Sequence, residues 1–117
     1  MNKRTIGTKY ELIACEYLES QGYKILEKNF RCRSGEIDII AEDEKYLVFI
    51  EVKYRSGNSC GYAASAVSFR KQQVISRTAR FYLMKNNIPD TCPCRFDVVA
   101  IDQKEIHLYK NAFDYCG

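Results

Sequence analysis

Apolar and polar positions along the chain recur with two different periods, and these periods predict seven elements of secondary structure. Two segments carry apolar side chains three and four residues apart, which is the spacing of one helix face. Five shorter segments alternate between apolar and polar residues or are continuously apolar, as strands are. The predicted elements are a helix over residues 5–21, strands over 23–30, 36–41 and 46–54, a helix over 65–86, and strands over 95–101 and 105–109. Thr5 is the predicted cap of the first helix, and Gly22 ends it.

The order of these elements indicates an α/β protein with a mixed sheet. Residues 46–50 are continuously apolar, so we expect them to form a central strand that is covered on both faces. The second helix separates the third and fourth strands, and a helical crossover of this kind joins parallel neighbours. The chain has 117 residues and no linker or low-complexity segment, which predicts a single domain over residues 1–117.

Three charged residues interrupt the apolar strands and form the candidate site. Asp38 lies within an otherwise apolar strand, and Glu51 directly follows the apolar residues 47–50. A buried carboxylate without a partner costs on the order of several kcal/mol, so each must bind a metal, an arginine or backbone amides. Glu51 and Lys53 point to the same face of their strand. The two carboxylates and the carbonyl of Val52 could hold Mg²⁺, with Lys53 placed to orient water or stabilise a phosphodiester transition state.

A second interpretation of the same residues needs no metal. Glu51 and Lys53 would form an ion pair at a strand end, and Asp38 would pair with an arginine. An isolated Glu-x-Lys tripeptide favours this interpretation, because such tripeptides are common. Here the tripeptide is joined to Gly-x-x-Asp on the preceding strand, and the combination favours a catalytic set.

Each predicted helix adds one charged residue to the candidate site. Glu11 lies at the edge of the apolar face of the first helix, where it could supply a third carboxylate or remain an exposed helix residue. Lys71 lies within the apolar stripe of the second helix, between Val67 and Val74. A lysine in that position needs a phosphate or a carboxylate as partner, unless it extends past the edge of the core to solvent.

The charge distribution pairs an acidic cluster with a basic segment, in a chain of net charge +3. Acidic residues concentrate between Glu36 and Glu51, whereas residues 53–80 contain basic side chains and no acidic one. This arrangement suits a metal site beside a phosphate-binding surface, although a solvated helix face would have the same composition. The candidate phosphate contacts are Arg55, Arg70 and Lys71.

The six cysteines do not predict a disulfide or a zinc site. No Cys-x-x-Cys pair occurs, and His107, the only histidine, lies far in sequence from any cysteine pair. No secretory signal is visible, so we expect a cytoplasmic protein with reduced thiols. No apolar segment approaches the roughly 20 residues of a membrane helix, and no membrane partner is expected.

Several segments distributed over nearly the whole chain together resemble a known family. They are Gly7-x-x-x-Glu11, Gly22-Tyr23, Asn29-Phe30-Arg31, Gly35-Glu36-Ile37-Asp38-Ile39-Ile40-Ala41, Phe49-Ile50-Glu51-Val52-Lys53-Tyr54-Arg55, Lys71, Arg95-Phe96-Asp97-Val98-Val99 and Asn111-Ala112-Phe113. In these residues the chain is similar to the PD-(D/E)XK, or restriction-endonuclease-like, nuclease superfamily. Within that superfamily it resembles the YraN-like family of small bacterial proteins, UPF0102, which is related to archaeal Holliday-junction resolvases.

The resemblance implies a fold and a set of residue roles. The fold would be a restriction-endonuclease-like three-layer sandwich, with a central mixed β-sheet flanked by helices. Asp38 and Glu51 would be the metal-binding carboxylates, Lys53 the superfamily lysine, and Glu11 the accessory helix glutamate of the resolvases. The chain departs from many members at Glu36-Ile37, which stand where those members have a proline before the aspartate.

The expected function is therefore a Mg²⁺- or Mn²⁺-dependent endonuclease that hydrolyses phosphodiester bonds in DNA, including branched or structured DNA. The alternative is a non-catalytic nucleic-acid-binding or accessory interaction module in DNA repair or uptake. DNA is favoured over RNA as partner, because no RNA-binding motif and no obvious base-stacking platform is visible, although the nine tyrosines leave room for one. An RNA nuclease is the third alternative. A homodimer could form through an edge strand or through residues 113–115, since the resolvase relatives work as two-fold dimers.

Overall fold

The computed structural model describes residues 3–54, 67–102 and 105–116, with side chains from Lys9 onward. All seven predicted elements are present in the predicted order. They are α1 (Lys3–Ser20), β1 (Lys24–Cys32), β2 (Gly35–Asp43), β3 (Tyr46–Tyr54), α2 (Phe69–Lys85), β4 (Cys94–Ile101) and β5 (Ile106–Phe113). Across these residues, no helix combines the length and apolar content that crossing a membrane requires.

The strands form one mixed sheet in the order β1-β2-β3-β4-β5. Neighbouring strands are antiparallel except β3 and β4, which are parallel and are joined through α2. The predictions of a central third strand and of a helical crossover between parallel neighbours are therefore confirmed. The crossover leaves α2 on one face of the sheet and α1 on the other, which gives the expected α/β three-layer sandwich.

Two hydrophobic cores separate the layers, and β3 contributes to both. Its side chains alternate, so that Leu47 and Phe49 pack beneath α2 while Val48 and Ile50 pack beneath α1. The core beneath α2 is rich in aromatic rings, and Tyr82 of α2 meets Phe49 edge to face at 5.9 Å between ring centroids. Since both faces of β3 are covered, its continuous apolar sequence is explained.

Six of the seven elements have bounds that differ from the predicted ones by one to four residues, and three of these differences change a cap or a packing contact. The first helix already begins at Lys3, so Thr5 lies inside it and is not its cap. The second helix begins at Phe69 rather than at residue 65, because Ser68 is its N-cap. The last strand continues to Phe113 instead of ending at residue 109, and the Phe113 ring stacks on Phe96 at 5.0 Å.

The described cysteines are free thiols, as predicted. Cys60 lies outside the described residues. His107 is partly exposed and lies 3.1 Å from Glu105 and 3.8 Å from Asp102, so it is a surface histidine with acidic neighbours.

Candidate active site

The candidate site forms where β2 and β3 stop pairing. Their paired register extends to Ile39 opposite Ile50. Just beyond it, the Val52 N–H donates to Oδ2 of Asp38 at 2.8 Å, so a side-chain carboxylate serves as the acceptor. Ile37 packs beneath α2 while Ile39 packs beneath α1, although residues two apart share a face in a regular strand. The alternation of β2 is thus broken at Asp38, and its carboxyl group reaches β3.

Glu51 is a buried carboxylate with an ammonium group on two sides. Its side chain is 7 % exposed. Lys53 Nζ lies 3.6 Å and Lys71 Nζ lies 3.7 Å from the same oxygen, Oε2 of Glu51. Lys53 reaches Glu51 because the two share a strand face, as predicted from their spacing. Lys71 belongs to α2. The sequence left two alternatives for its ammonium group, an anionic partner or exposure past the edge of the core, and the structure contains the contact with a carboxylate.

Asp38 and Glu51 are in direct contact. Burial raises the pKa of Asp38 well above its ordinary range, and a hydrogen bond with Glu51 and the negative charge of Glu51 raise it further. The amide of Val52 opposes the shift, because it stabilises the charged carboxylate. Two buried carboxylates in contact need a proton or a cation between them, since two like charges at this distance repel strongly.

Two features of the chain position α2 so that Lys71 meets Glu51. Ser68 Oγ accepts the N–H of Lys71 at 3.2 Å and thereby sets the start of the helix. Gly35, at the start of β2, allows α2 to approach closely, since a Cβ there would lie 2.4 Å from Cγ1 of Val74. The glycine of the Gly-x-x-Asp motif therefore has a packing role three residues before Asp38.

Glu11 lies on α1 near the same strand ends. It is partly buried, and its negative charge is close enough to contribute to the raised pKa of Asp38, after burial and Glu51. Among the residues with described side chains, no three His, Cys, Asp or Glu groups converge closely enough to hold a metal ion. The role of Glu11 as an accessory carboxylate stays a prediction.

The remaining predicted residues are Arg70, Val52 and Arg55. Arg70 is exposed in the first turn of α2, beside Lys71. The N–H of Val52 is bonded to Asp38, and the use of its carbonyl by a metal stays a prediction. Arg55 lies outside the described residues.

The structure contains one of the two ion pairs that the metal-free interpretation requires. Its Glu51–Lys53 ion pair is present. Its second requirement was an arginine beside Asp38, and in the described part of the chain the partners of Asp38 are Val52 and Glu51 instead.

A second charged cluster, on the α1 face of the sheet, is structural. Asp97 is fully buried and accepts from Arg95 Nε at 2.9 Å, from Tyr23 Oη at 2.7 Å and from the Asn111 N–H at 2.9 Å. Arg95 also donates to Asp43 at 2.8 Å. Because these contacts satisfy the carboxylate of Asp97, it joins β4 to β5 and to Tyr23, which directly precedes β1, rather than offering a ligand site. Arg95 extends the cluster to Asp43 at the end of β2.

The sequence does not predict the aromatic pair that flanks the candidate site. Tyr10 and Tyr54 stack with ring centroids 3.9 Å apart and planes inclined by 16°. Tyr10 directly precedes Glu11, and Tyr54 directly follows Lys53. That adjacency is the only signal in the sequence, and the meeting of α1 with the end of β3 is what joins the rings.

Comparison with other proteins identifies the family to which the chain belongs. A model of the family described as "Uncharacterised protein family UPF0102" matches residues 10–101, which include Glu11, Asp38, Glu51, Lys53 and Lys71.

Curated relatives carry the same family description. A UPF0102 protein of Lachnoclostridium phytofermentans is 50% identical over 117 residues, covering 100% of this chain and 99% of the relative. A UPF0102 protein of Clostridium botulinum strain Loch Maree is 46% identical, with 94% of each chain covered. One of Janthinobacterium sp. strain Marseille is 44% identical, covering 96% of this chain and 89% of the relative. The chain is therefore a member of the UPF0102 family.

Proposed function

We propose that this protein is a metal-dependent endonuclease that hydrolyses phosphodiester bonds in DNA. The observation that carries the proposal is the convergence of Asp38 and Glu51 at the diverging ends of β2 and β3, with Lys53 and Lys71 both on Glu51. Two buried carboxylates in contact are costly in a binding protein, because they oppose folding and repel phosphates. They are useful where a cation must be held beside a phosphodiester.

The donor set fits Mg²⁺ or Mn²⁺. Both ions prefer carboxylate and carbonyl oxygens, and a magnesium site commonly uses one or two carboxylates together with waters. Asp38 and Glu51 would supply the carboxylates, and the carbonyl of Val52 is the candidate third oxygen. When bound, the ion supplies charge for the developing phosphorane and lowers the pKa of a water molecule.

The two lysines have different access to a substrate. The Lys53 side chain is 33 % exposed and the Lys71 side chain 40 % exposed, so both reach solvent from a buried carboxylate. Lys53 is placed to orient the attacking water or to donate to a phosphate oxygen. Lys71 and Arg70 lie in the first turn of α2, where the N-terminal end of the helix also attracts anions. This turn is the proposed phosphate contact.

The proposal is tested by cleavage of a substrate panel with Mg²⁺ or Mn²⁺. The panel contains a four-way junction, a flap, single-stranded DNA, duplex DNA and a structured RNA. Asp38→Asn and Lys53→Ala are compared with the exposed controls Asp90→Asn and Lys45→Ala. We expect the wild type and both controls to cleave a DNA substrate, and the two site variants to lose about 100-fold or more.

A metal-binding measurement separates the enzyme from the alternative, a non-catalytic nucleic-acid-binding or accessory module. Titration of the wild type with Mn²⁺ is expected to show a site that Asp38→Asn abolishes and Asp90→Asn retains. No cleavage of any substrate, together with equal Mn²⁺ binding by wild type and Asp38→Asn, would contradict the proposal and favour the binding module.

A further inference from the structure

The stacked pair of Tyr10 and Tyr54 presents an aromatic surface beside the candidate active site. One ring covers the other at 3.9 Å, and Tyr54 still keeps 37% of its surface exposed. A hydrogen bond with Tyr10 raises the pKa of the Tyr54 hydroxyl, so the hydroxyl groups of the stacked rings are also neighbours. A fixed aromatic ring with an exposed surface costs little further entropy when a second flat group binds to it.

A cavity opens next to this pair. Its volume is about 640 Å³, within the roughly 300–1,000 Å³ typical of ligand sites. Tyr10, Tyr17 and Tyr54 form the aromatic wall, and Lys9 lies at the same end of α1. Asp102 and Glu105 form part of the opposite wall.

One part of the cavity wall carries a cation and another part carries two carboxylates. Lys9 contributes to the cavity wall, so a cation lies where a sugar–phosphate backbone can contact it. Asp102 and Glu105 have His107 as neighbour, at 3.8 and 3.1 Å from its Nε2, and their carboxylates disfavour a phosphate in the cavity itself. A neutral, flat group fits this combination.

We infer that the Tyr10–Tyr54 pair is a stacking site for an unpaired nucleobase next to the scissile phosphate. The inference rests on the proposed function for its placement beside the reacting group. Stacking on tyrosine needs a base that is free of its own neighbours, so the site selects single-stranded or unpaired nucleotides over continuous duplex. Since every base has an aromatic face, the selection is for strand structure and not for sequence.

The test measures binding without metal, so that it does not depend on catalysis. Single-stranded DNA with 2-aminopurine at one position and a blunt duplex of equal length are titrated with protein in EDTA. The variants are Tyr54→Ala, Tyr54→Leu and Tyr54→Phe, and the control is Tyr115→Ala, an exposed tyrosine that lines a different cavity. Tyr54→Leu keeps an apolar contact with Tyr10, so it reports on stacking even if Tyr54→Ala fails to fold.

For the single strand, we expect affinity about 5- to 100-fold lower in Tyr54→Leu and Tyr54→Ala, and unchanged in Tyr54→Phe and Tyr115→Ala. The fluorescence of 2-aminopurine should be quenched by wild type and Tyr54→Phe only, and duplex affinity should be the same in all variants. Equal single-strand affinity in wild type and Tyr54→Leu, or an equal loss for duplex, would overturn the inference.

The outcome separates the inference from the proposed function. If wild type binds single strands through Tyr54 but cleaves nothing with Mg²⁺ or Mn²⁺, the stacking site stands and the nuclease proposal fails. If the protein cleaves DNA while Tyr54→Leu binds single strands like wild type, the nuclease proposal stands and the stacking site fails.

Discussion

Glu51 combines burial, negative charge and two cationic neighbours in one side chain. Its Oε2 faces two ammonium groups at 3.6 and 3.7 Å, while Asp38 contacts the same carboxylate. These separations exceed ordinary hydrogen-bond lengths, so neither lysine is tightly bound by the contact. Both lysines therefore remain available to a phosphate. They neutralise the charge of Asp38 and Glu51 only in part.

Replacing Asp38 by asparagine should stabilise the metal-free protein. An amide carries no charge to bury, is not repelled by Glu51 and can still accept the N–H of Val52. We expect the free energy of unfolding at pH 8 in EDTA to rise by about 1 kcal/mol. Urea unfolding of wild type and Asp38→Asn checks this, and the addition of Mg²⁺ should stabilise wild type alone. A less stable variant in EDTA would show that the charge of Asp38 is already compensated.

Asp43 should make the protein less stable in acid. A hydrogen bond from Arg95 lowers the pKa of Asp43, burial opposes that shift, and the charge of Lys110 adds to it. A carboxyl group with a lowered pKa contributes stability that is present above its unfolded pKa of about 3.9 and lost as the pH falls through the folded value. Between pH 5 and 3, the Tm of wild type should therefore fall more steeply than that of Asp43→Asn. Asp90→Asn is the matched control, and parallel curves for wild type and Asp43→Asn would contradict the expectation.

At the scale of elements, the approach of α2 to β2 decides where Lys71 lies. The helix start is set by Ser68, and the closeness of the layers is set by the missing side chain at Gly35. Neither residue touches Glu51, yet both determine whether the ammonium group of Lys71 can reach it.

Gly35→Ala should therefore affect both stability and the candidate site. Its Cβ would lie 2.4 Å from Val74 Cγ1, and overpacking of this kind costs about 1–3 kcal/mol. Combining it with Val74→Ala should recover part of the loss in urea unfolding. Both glycines have a positive φ, +154° at Gly35 and +94° at Gly22, so either substitution strains the backbone. Gly22→Ala is the control, because no atom lies within 4 Å there and Val74→Ala should relieve none of its loss.

The buried carboxylate of Asp97 joins β4 to β5 and to Tyr23, and Arg95 links the cluster to Asp43 at the end of β2. Asp97→Ala would leave Arg95, whose side chain is 12 % exposed, with Asp43 as its remaining carboxylate. It would also remove the acceptor of Tyr23 and of the Asn111 N–H, and breaking a buried pair of this kind costs about 3–5 kcal/mol. The exposed pair of Arg31 and Glu36 is the comparison, and Glu36→Gln should cost about 0.5 kcal/mol or less. Chemical unfolding of the two variants measures the difference, and similar losses would show that the Asp97 cluster is no stronger than a surface pair.

At the scale of the whole molecule, the sheet separates two kinds of charged cluster. The Asp97 cluster lies on the α1 face and has its partners within the protein. Glu51 and the two lysines project toward the α2 face, where cations face solvent. Binding of a polyanion should therefore depend on salt through Lys53 and Lys71, and not through the Asp97 cluster.

Lys71→Met should lower the salt dependence of DNA binding. Each lysine that neutralises a phosphate contributes about one unit to the slope of log K against log salt concentration. We expect the slope of Lys71→Met to be about one unit shallower than that of wild type, and that of the exposed control Lys45→Met to be unchanged. Titrations in EDTA between low and physiological salt check this, and equal slopes would remove Lys71 from the phosphate contacts.

The pattern of apolar residues was sufficient to predict the order of the elements, the central position of β3 and the shared face of Glu51 and Lys53. These properties follow from local periodicity, because alternation along one strand needs no knowledge of its neighbours. Local periodicity did not predict where α1 begins or where β5 ends. Those ends depend on packing partners such as Phe96, which stacks on Phe113 from a different strand.

The contacts between residues that are distant in sequence are seen in the tertiary structure alone. The contact of Lys71 with Glu51, the break in β2 that brings Asp38 to Val52, and the stacking of Tyr10 on Tyr54 all join residues from different elements. Such contacts depend on strand register and on how closely each helix packs against the sheet. Small residues such as Gly35 determine those distances, and the spacing of apolar residues along the chain does not predict them.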